Sequence, residues 1–122
     1  MSKHDEDSIK AMKLVKSIFD DKEMDINENT YVFLTMTHKK RRKVFAFYTR
    51  VRHLISANDY SFMDWAEFES VESIMHDYIT FKDQSISKIA SHWDENPGDY
   101  VNFTLAALAV ISYPFLGVSR TA

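Results

Sequence analysis

At 122 residues, with 45% hydrophobic and 14% aromatic side chains, the chain has the material for one domain with a substantial core. Two glycines and two prolines are too few for the tight turns of an all-β fold, and the absence of cysteine excludes disulfides, thiolate metal sites and a cysteine nucleophile. The net charge of −3 is ordinary, but its distribution along the chain is not.

No apolar run approaches the ~20 residues needed to span a membrane. The opening Met1-Ser2-Lys3-His4-Asp5-Glu6-Asp7 lacks the layout of a signal peptide. With no repeat, low-complexity tract or linker, residues 1–122 are expected to form a single helical domain. The fold class expected is mainly α, a compact bundle of about four to five helices with a small N-terminal β-hairpin. Residues 1–7 and 119–122 are expected to be disordered ends.

The first helix is predicted over Ser8–Asp20, where Ile9, Met12, Val15, Ile18 and Phe19 recur at helical steps and Asp7 or Ser8 can cap. This helix is expected to be modest and loosely docked. Met24 and Ile26 alternate with acids, and Thr30–Met36 is rich in β-branched and aromatic residues. With a turn at Glu28-Asn29, these form a hairpin over Met24–Met36 that must lean on a helix to be stable. A second helix, His38–Ala57, carries the stripe Val44, Phe47, Tyr48, Val51, Leu54 and Ile55, and ends at Asn58-Asp59. A third runs from Phe62 to Ile79 with Trp65, Phe68, Val71, Met75 and Tyr78 inward, and Ser61 with Asp64 suggests a capping box.

Ser85 opens a short helical turn carrying Ile86, Ile89, Ala90 and Trp93. Asn96-Pro97 is the sharpest boundary in the chain, since Asn caps well and proline suits the first helical position. The last helix reaches Tyr113. Tyr100, Phe103, Thr104, Ala107, Leu108 and Ile111 share one face, and Leu105, Ala106, Ala109 and Val110 make the others apolar too. Such a helix is buried centrally or covered by a partner. Pro114 stops it, leaving the apolar Phe115-Leu116-Gly117-Val118.

Reactive chemistry finds little support. His4, His38, His53, His76 and His92 include no pair at the i, i+4 spacing of two ligands on one helical face, and there is no HExxH, so no metal site is expected. No GxSxG elbow and no glycine-rich phosphate loop can be drawn from two glycines. The carboxylate pairs Asp64/Glu67 and Glu69/Glu72 read as solvated helix surface. No catalytic residue and no cofactor is expected.

Charge is segregated. Lys39, Lys40, Arg41, Arg42 and Lys43, with Arg50 and Arg52, crowd the second helix, and no acid lies between Glu28 and Asp59. Asp59, Asp64, Glu67, Glu69, Glu72, Asp77 and Asp83 then follow against Lys82 alone. One reading is internal: antiparallel helices place Lys39–Lys43 beside Glu72 and Asp77, setting register more than stability. The other makes the run a patch for nucleic acid or an acidic partner. The acidic net charge and the lack of a recognition motif argue against nucleic acid. Five adjacent cations cannot all face one helix, so some point to solvent or to a partner. Nine Phe, six Tyr and two Trp are expected to be mostly core, but a small domain buries a limited fraction of its surface. The all-apolar last helix with Phe115 and Leu116 leaves surplus apolar surface that marks a protein-binding or self-associating face. Trp93, Tyr100, Phe103, Phe115 and Leu116 are the candidate contacts.

The second half carries a familiar order: Ser70-Val71-Glu72-Ser73-Ile74-Met75, Tyr78 to Ile86, His92-Trp93, Asn96-Pro97-Gly98-Asp99-Tyr100, Ala106-Ala107-Leu108 and Pro114-Phe115-Leu116-Gly117. Together with a hairpin before a basic helix, this resembles the tail assembly chaperones of long-tailed bacteriophages over roughly residues 24–118. Leu116 stands where the family has a second aromatic, so the closing element is approximate. The resemblance implies a non-enzymatic protein of the infected bacterium's cytoplasm, absent from the mature virion. It would hold the tape-measure protein, help recruit tail-tube subunits, and act as a homo-oligomer or with a frameshift-extended form of itself. The alternatives are a small nucleic-acid-associated regulator using Lys39–Lys43 and a structural virion protein.

Overall fold

The computed structural model describes the backbone of residues 3–116 and the side chains from Lys10 onward. Among these residues there are five α-helices and a four-stranded antiparallel sheet. The helices are α1 (Lys3–Asp21), α2 (His38–Ser56), α3 (Ala66–Tyr78), α4 (His92–Glu95) and α5 (Tyr100–Ser112). The strands are β1 (Glu23–Ile26), β2 (Asn29–Phe33), β3 (Ile79–Phe81) and β4 (Gln84–Ser85), in the order β1-β2-β3-β4. The mainly α expectation holds, but the strand element is a sheet and not a lone hairpin.

The sheet is closed by two tight turns. Asn27 and Glu28 (φ 48° and 72°) join β1 to β2, and Lys82 and Asp83 (φ 52° and 66°) join β3 to β4. Consecutive left-handed residues give turns whose twist matches that of the paired strands. The first turn therefore lies one residue before the expected Glu28-Asn29, and Asn29 belongs to β2. Register pairs Tyr31 with both Met24 and Phe81, which places β2 in the interior of the sheet.

Helix α1 begins at Lys3, five residues before the expected Ser8, so backbone that was expected to be disordered is helical. Residues 119–122, also expected to be disordered, lie outside the described residues. Thr37 caps α2, its hydroxyl accepting from the Lys40 N–H, and left-handed Asn58 (φ 58°) follows its end. The capping box expected of Ser61 does not form. Both the Ser61 N–H and its hydroxyl go to the Asp59 carboxylate, Ser61–Asp64 is a 3-10 turn, and α3 starts after extended Trp65. Pro97 likewise opens a 3-10 turn, Pro97–Asp99, from which α5 continues.

The apolar α5 is the central element. Phe103, Ala107, Leu108, Val110 and Ile111 are buried, with α2 packed along it and α1 on another flank. Phe47 of α2 meets Phe62 and Phe68, and with Val51, Met75, Ile79 and Tyr31 they join a single core. Side chains of this size stabilise by roughly 1.5–3 kcal/mol each when fully buried. By contrast, no described side chain of α1 is fully buried. No helix among the described residues is long and apolar enough to cross a membrane.

Candidate functional site

Two regions stand out, a polar knot buried at its centre and an open apolar groove, with exposed Asn27 at the border of both. The knot ties the hairpin to the start of α5. The Tyr31 hydroxyl donates to Asp99 Oδ2 at 2.8 Å, and Asn29 Nδ2 donates to the same oxygen at 2.7 Å. Asn27 Nδ2 reaches Asp99 Oδ1 at 2.8 Å, and Asn29 also reaches Asn96 Oδ1 at 3.1 Å. His92 Nε2 lies 2.8 Å from the Tyr31 hydroxyl. Because that hydroxyl spends its one proton on Asp99, its oxygen accepts from His92 Nε2–H, which fixes the tautomer of a neutral imidazole.

Electrostatics agrees with a neutral His92. Burial holds its pKa below the ordinary 6.5 against the opposing pull of Asp99 and Glu95. Burial by itself would raise the Asp99 carboxyl, yet the bonds from Asn29, Asn27 and Tyr31, with His92 nearby, hold it below the ordinary 3.8. The Tyr31 hydroxyl is pushed upward by burial and by its bond to Asp99. Tyr31, His92 and Asp99 are 0%, 2% and 3% exposed, so the three cannot meet a substrate without local opening. Among the described residues no three His, Asp or Glu side chains converge to hold a metal ion.

Aromatic rings surround the knot. Trp93 lies 4.5 Å from His92, 4.8 Å from Phe103 and 5.2 Å from Tyr100, centroid to centroid. The Tyr100 hydroxyl donates to Glu72. Of the candidate contacts, Phe103 is wholly buried in this cluster and offers no surface to a partner, while Trp93 and Tyr100 are half-buried beside it. Phe115 and Leu116 lie elsewhere, half-buried beyond α5, with the Phe115 ring 4.9 Å from Phe45 and 5.6 Å from His38.

The groove is formed by α1, the hairpin and the outer face of α5, and encloses about 740 Å³. Ala11, Leu14, Val15 and Ile18 supply one wall, Leu105, Ala106 and Ala109 the other, and Met24 and Ile26 the hairpin end. Leu14 is 62% exposed, a large apolar side chain open to solvent beside an apolar recess. Periodicity missed it, because Leu14 falls beside the stripe through Met12, Val15 and Ile18. The signal that could have found it is the pairing of that extra leucine with a helix apolar on every face. On the far side of α1 a smaller recess of about 320 Å³ is lined by Phe19, Leu34 and Met36, and Ile18 borders both.

The basic run does not meet the acids that the internal reading assigned to it. Glu72 is taken by Tyr100, and the ion pairs among the described residues are Lys16–Asp20 and Arg50–Glu67. Helices α2 and α3 are thus bridged near their connected ends, not through Lys39–Lys43. Arg41 turns inward, donating to the Ile111 carbonyl at 2.8 Å with its guanidinium over the Phe19 ring. A cation at the C-terminal end of α5 complements the negative end of that helix. Lys39, Lys40, Arg42 and Lys43 are exposed.

Comparison with protein-family models, with curated proteins and with solved structures finds no match for this chain.

Proposed function

We propose that this chain is a non-enzymatic assembly chaperone or adaptor that holds a helical client in the groove between α1 and α5. The observation that carries this reading is the groove itself, about 740 Å³ with apolar walls and Leu14 standing open at its side. An amphipathic helix laid into an apolar groove is a recurrent way for one protein to hold another. The most reactive-looking constellation, Tyr31, His92 and Asp99, is spent on internal hydrogen bonds and buried.

The resemblance to tail assembly chaperones names the client. It would be the tape-measure protein of a long-tailed phage, held in the infected cell's cytoplasm while tail-tube subunits are recruited, with the chaperone left out of the virion. Phe115 beside Phe45, followed by half-buried Leu116, gives a second apolar surface, suited to self-association or to a frameshift-extended partner. Co-expression with the tape-measure protein of the same genome tests this. The wild-type chain should keep the client in solution and co-purify with it, and a Leu14→Glu, Ala106→Glu chain should not. Capture by the double variant, or none by the wild type, overturns the reading.

One observation favours a second reading. Lys39, Lys40, Arg42 and Lys43 are exposed, and none is ion-paired with a described carboxylate, as a phosphate-binding patch requires. Binding of DNA or RNA that falls steeply with salt, and disappears when residues 39–43 become Gln, would support it.

A further inference from the structure

The charge around the groove is one-sided. The residues that line it include three acids, Asp21, Glu23 and Asp25, all at the end where α1 runs into the hairpin, and no lysine, arginine or histidine. All three are exposed; among the described residues neither Asp21 nor Glu23 is ion-paired, and the Asp25 carboxylate accepts from the Thr30 hydroxyl at 2.6 Å while its other oxygen has no described partner. The helix adds to them. The C-terminal end of α1 carries no basic residue in its own last turn, and its negative dipole end lies beside the same acids. Nearby cations are engaged or point elsewhere. Lys16 is bonded to Asp20 at 2.6 Å, and Lys22 lines the recess on the opposite side of α1.

We infer that the occupant of this groove is a cationic amphipathic helix, seated with its lysine- or arginine-bearing end against the hairpin. The apolar walls take the leucine- or alanine-like stripe of such a helix, and Asp21, Glu23, Asp25 and the end of α1 take its charge. This rests on the helix-binding reading above and adds the chemistry and direction of the partner. An acidic helix would bring its charge against three carboxylates and a negative dipole end, and like charges in apposition discriminate between partners as effectively as attraction does.

The test uses the full chain and two synthetic helices of about eighteen residues, some 27 Å long. They share one leucine–alanine face and differ only in bearing lysines or glutamates at one end. The lysine peptide should bind about tenfold more tightly at low ionic strength, with the gap closing as salt screens the rim. Asp21→Asn, Glu23→Gln and Asp25→Asn together should abolish the preference and leave a common residual affinity. Leu14→Asn, at an exposed side chain, should weaken both peptides while shifting the melting temperature little. Equal or tighter binding of the glutamate peptide, a preference that survives the triple variant, or no binding of either peptide overturns the inference. Co-expression with the tape-measure protein separates the two claims. Client capture without charge preference leaves the chaperone reading and removes this one, and charge preference without client capture does the reverse.

Discussion

The knot and the groove are built from neighbouring parts of the same hairpin, yet one is saturated and the other open. Asn27, Asn29 and Tyr31 deliver their donors to Asp99 and leave that buried carboxylate satisfied. On the other flank, Met24 and Ile26 border a trough whose walls are apolar and whose leucine is exposed. A buried polar network that is fully bonded specifies the fold, whereas apolar surface left uncovered is what a partner can use. On the proposed function the first region serves stability and the second recognition, and substitutions should separate them cleanly.

The largest effects belong to the knot. Phe103→Ala empties the ring cluster around Trp93 and should lower unfolding free energy by about 4 kcal/mol, read from urea denaturation. Asp99→Ala strands the donors of buried Tyr31 and half-buried Asn29, leaves exposed Asn27 to water, and should cost about 3 kcal/mol by the same measurement. Either loss confined to peptide affinity, with stability intact, would reverse the assignment.

Acid should act on the same region, where the His76 ring lies 5.8 Å from both Trp93 and Phe103. His92 and His76 are both held below the ordinary 6.5, chiefly by burial, so the unfolded chain binds protons that the folded chain refuses. Their contribution is full above that value and is lost as pH falls through the folded pKa. Asp99, held below 3.8, adds a second decline in stronger acid. Melting temperature should therefore drop from pH 7.5 to 5.5. The drop should shrink in a His76→Gln, His92→Gln chain, where glutamine can still donate to the Tyr31 hydroxyl.

The groove should behave in the opposite way. Leu14→Asn should change stability by no more than about 0.5 kcal/mol, as expected of an exposed position, while removing most of the affinity for an amphipathic helix. Smallest of all is Arg50→Ala. It breaks the exposed pair with Glu67 and should leave both stability and binding within error of the wild type.

These two regions were unequally legible in the sequence. The all-apolar stretch after Asn96-Pro97 announced α5 and its central place, and the groove follows because its outer face, Leu105, Ala106 and Ala109, has no full cover. The knot was invisible. Its bonds join residues 61 to 72 positions apart, so no local spacing links Tyr31 to His92 or Asn27 to Asp99. Asn29 and Asn96 read as ordinary turn and cap residues and Asn27 as a plain part of the hairpin, and their partner chemistry exists only after the hairpin folds onto α4 and α5. The strand β3 was hidden for a related reason. Ile79-Thr80-Phe81 is too short to show a period, and its pairing with Tyr31, Val32 and Phe33 is what makes it a strand. The charge blocks misled by proximity in sequence, since Arg41 found a helix carbonyl on α5 and Glu72 a tyrosine on the same helix.

Hydrogen–deuterium exchange, with and without the lysine-ended peptide, tests the division of labour most directly. Added protection should fall on residues 10–21 of α1 and 102–109 of α5, with the backbone from 92 to 99 unchanged. Protection centred on residues 92–99, or spread evenly over the chain, would contradict it.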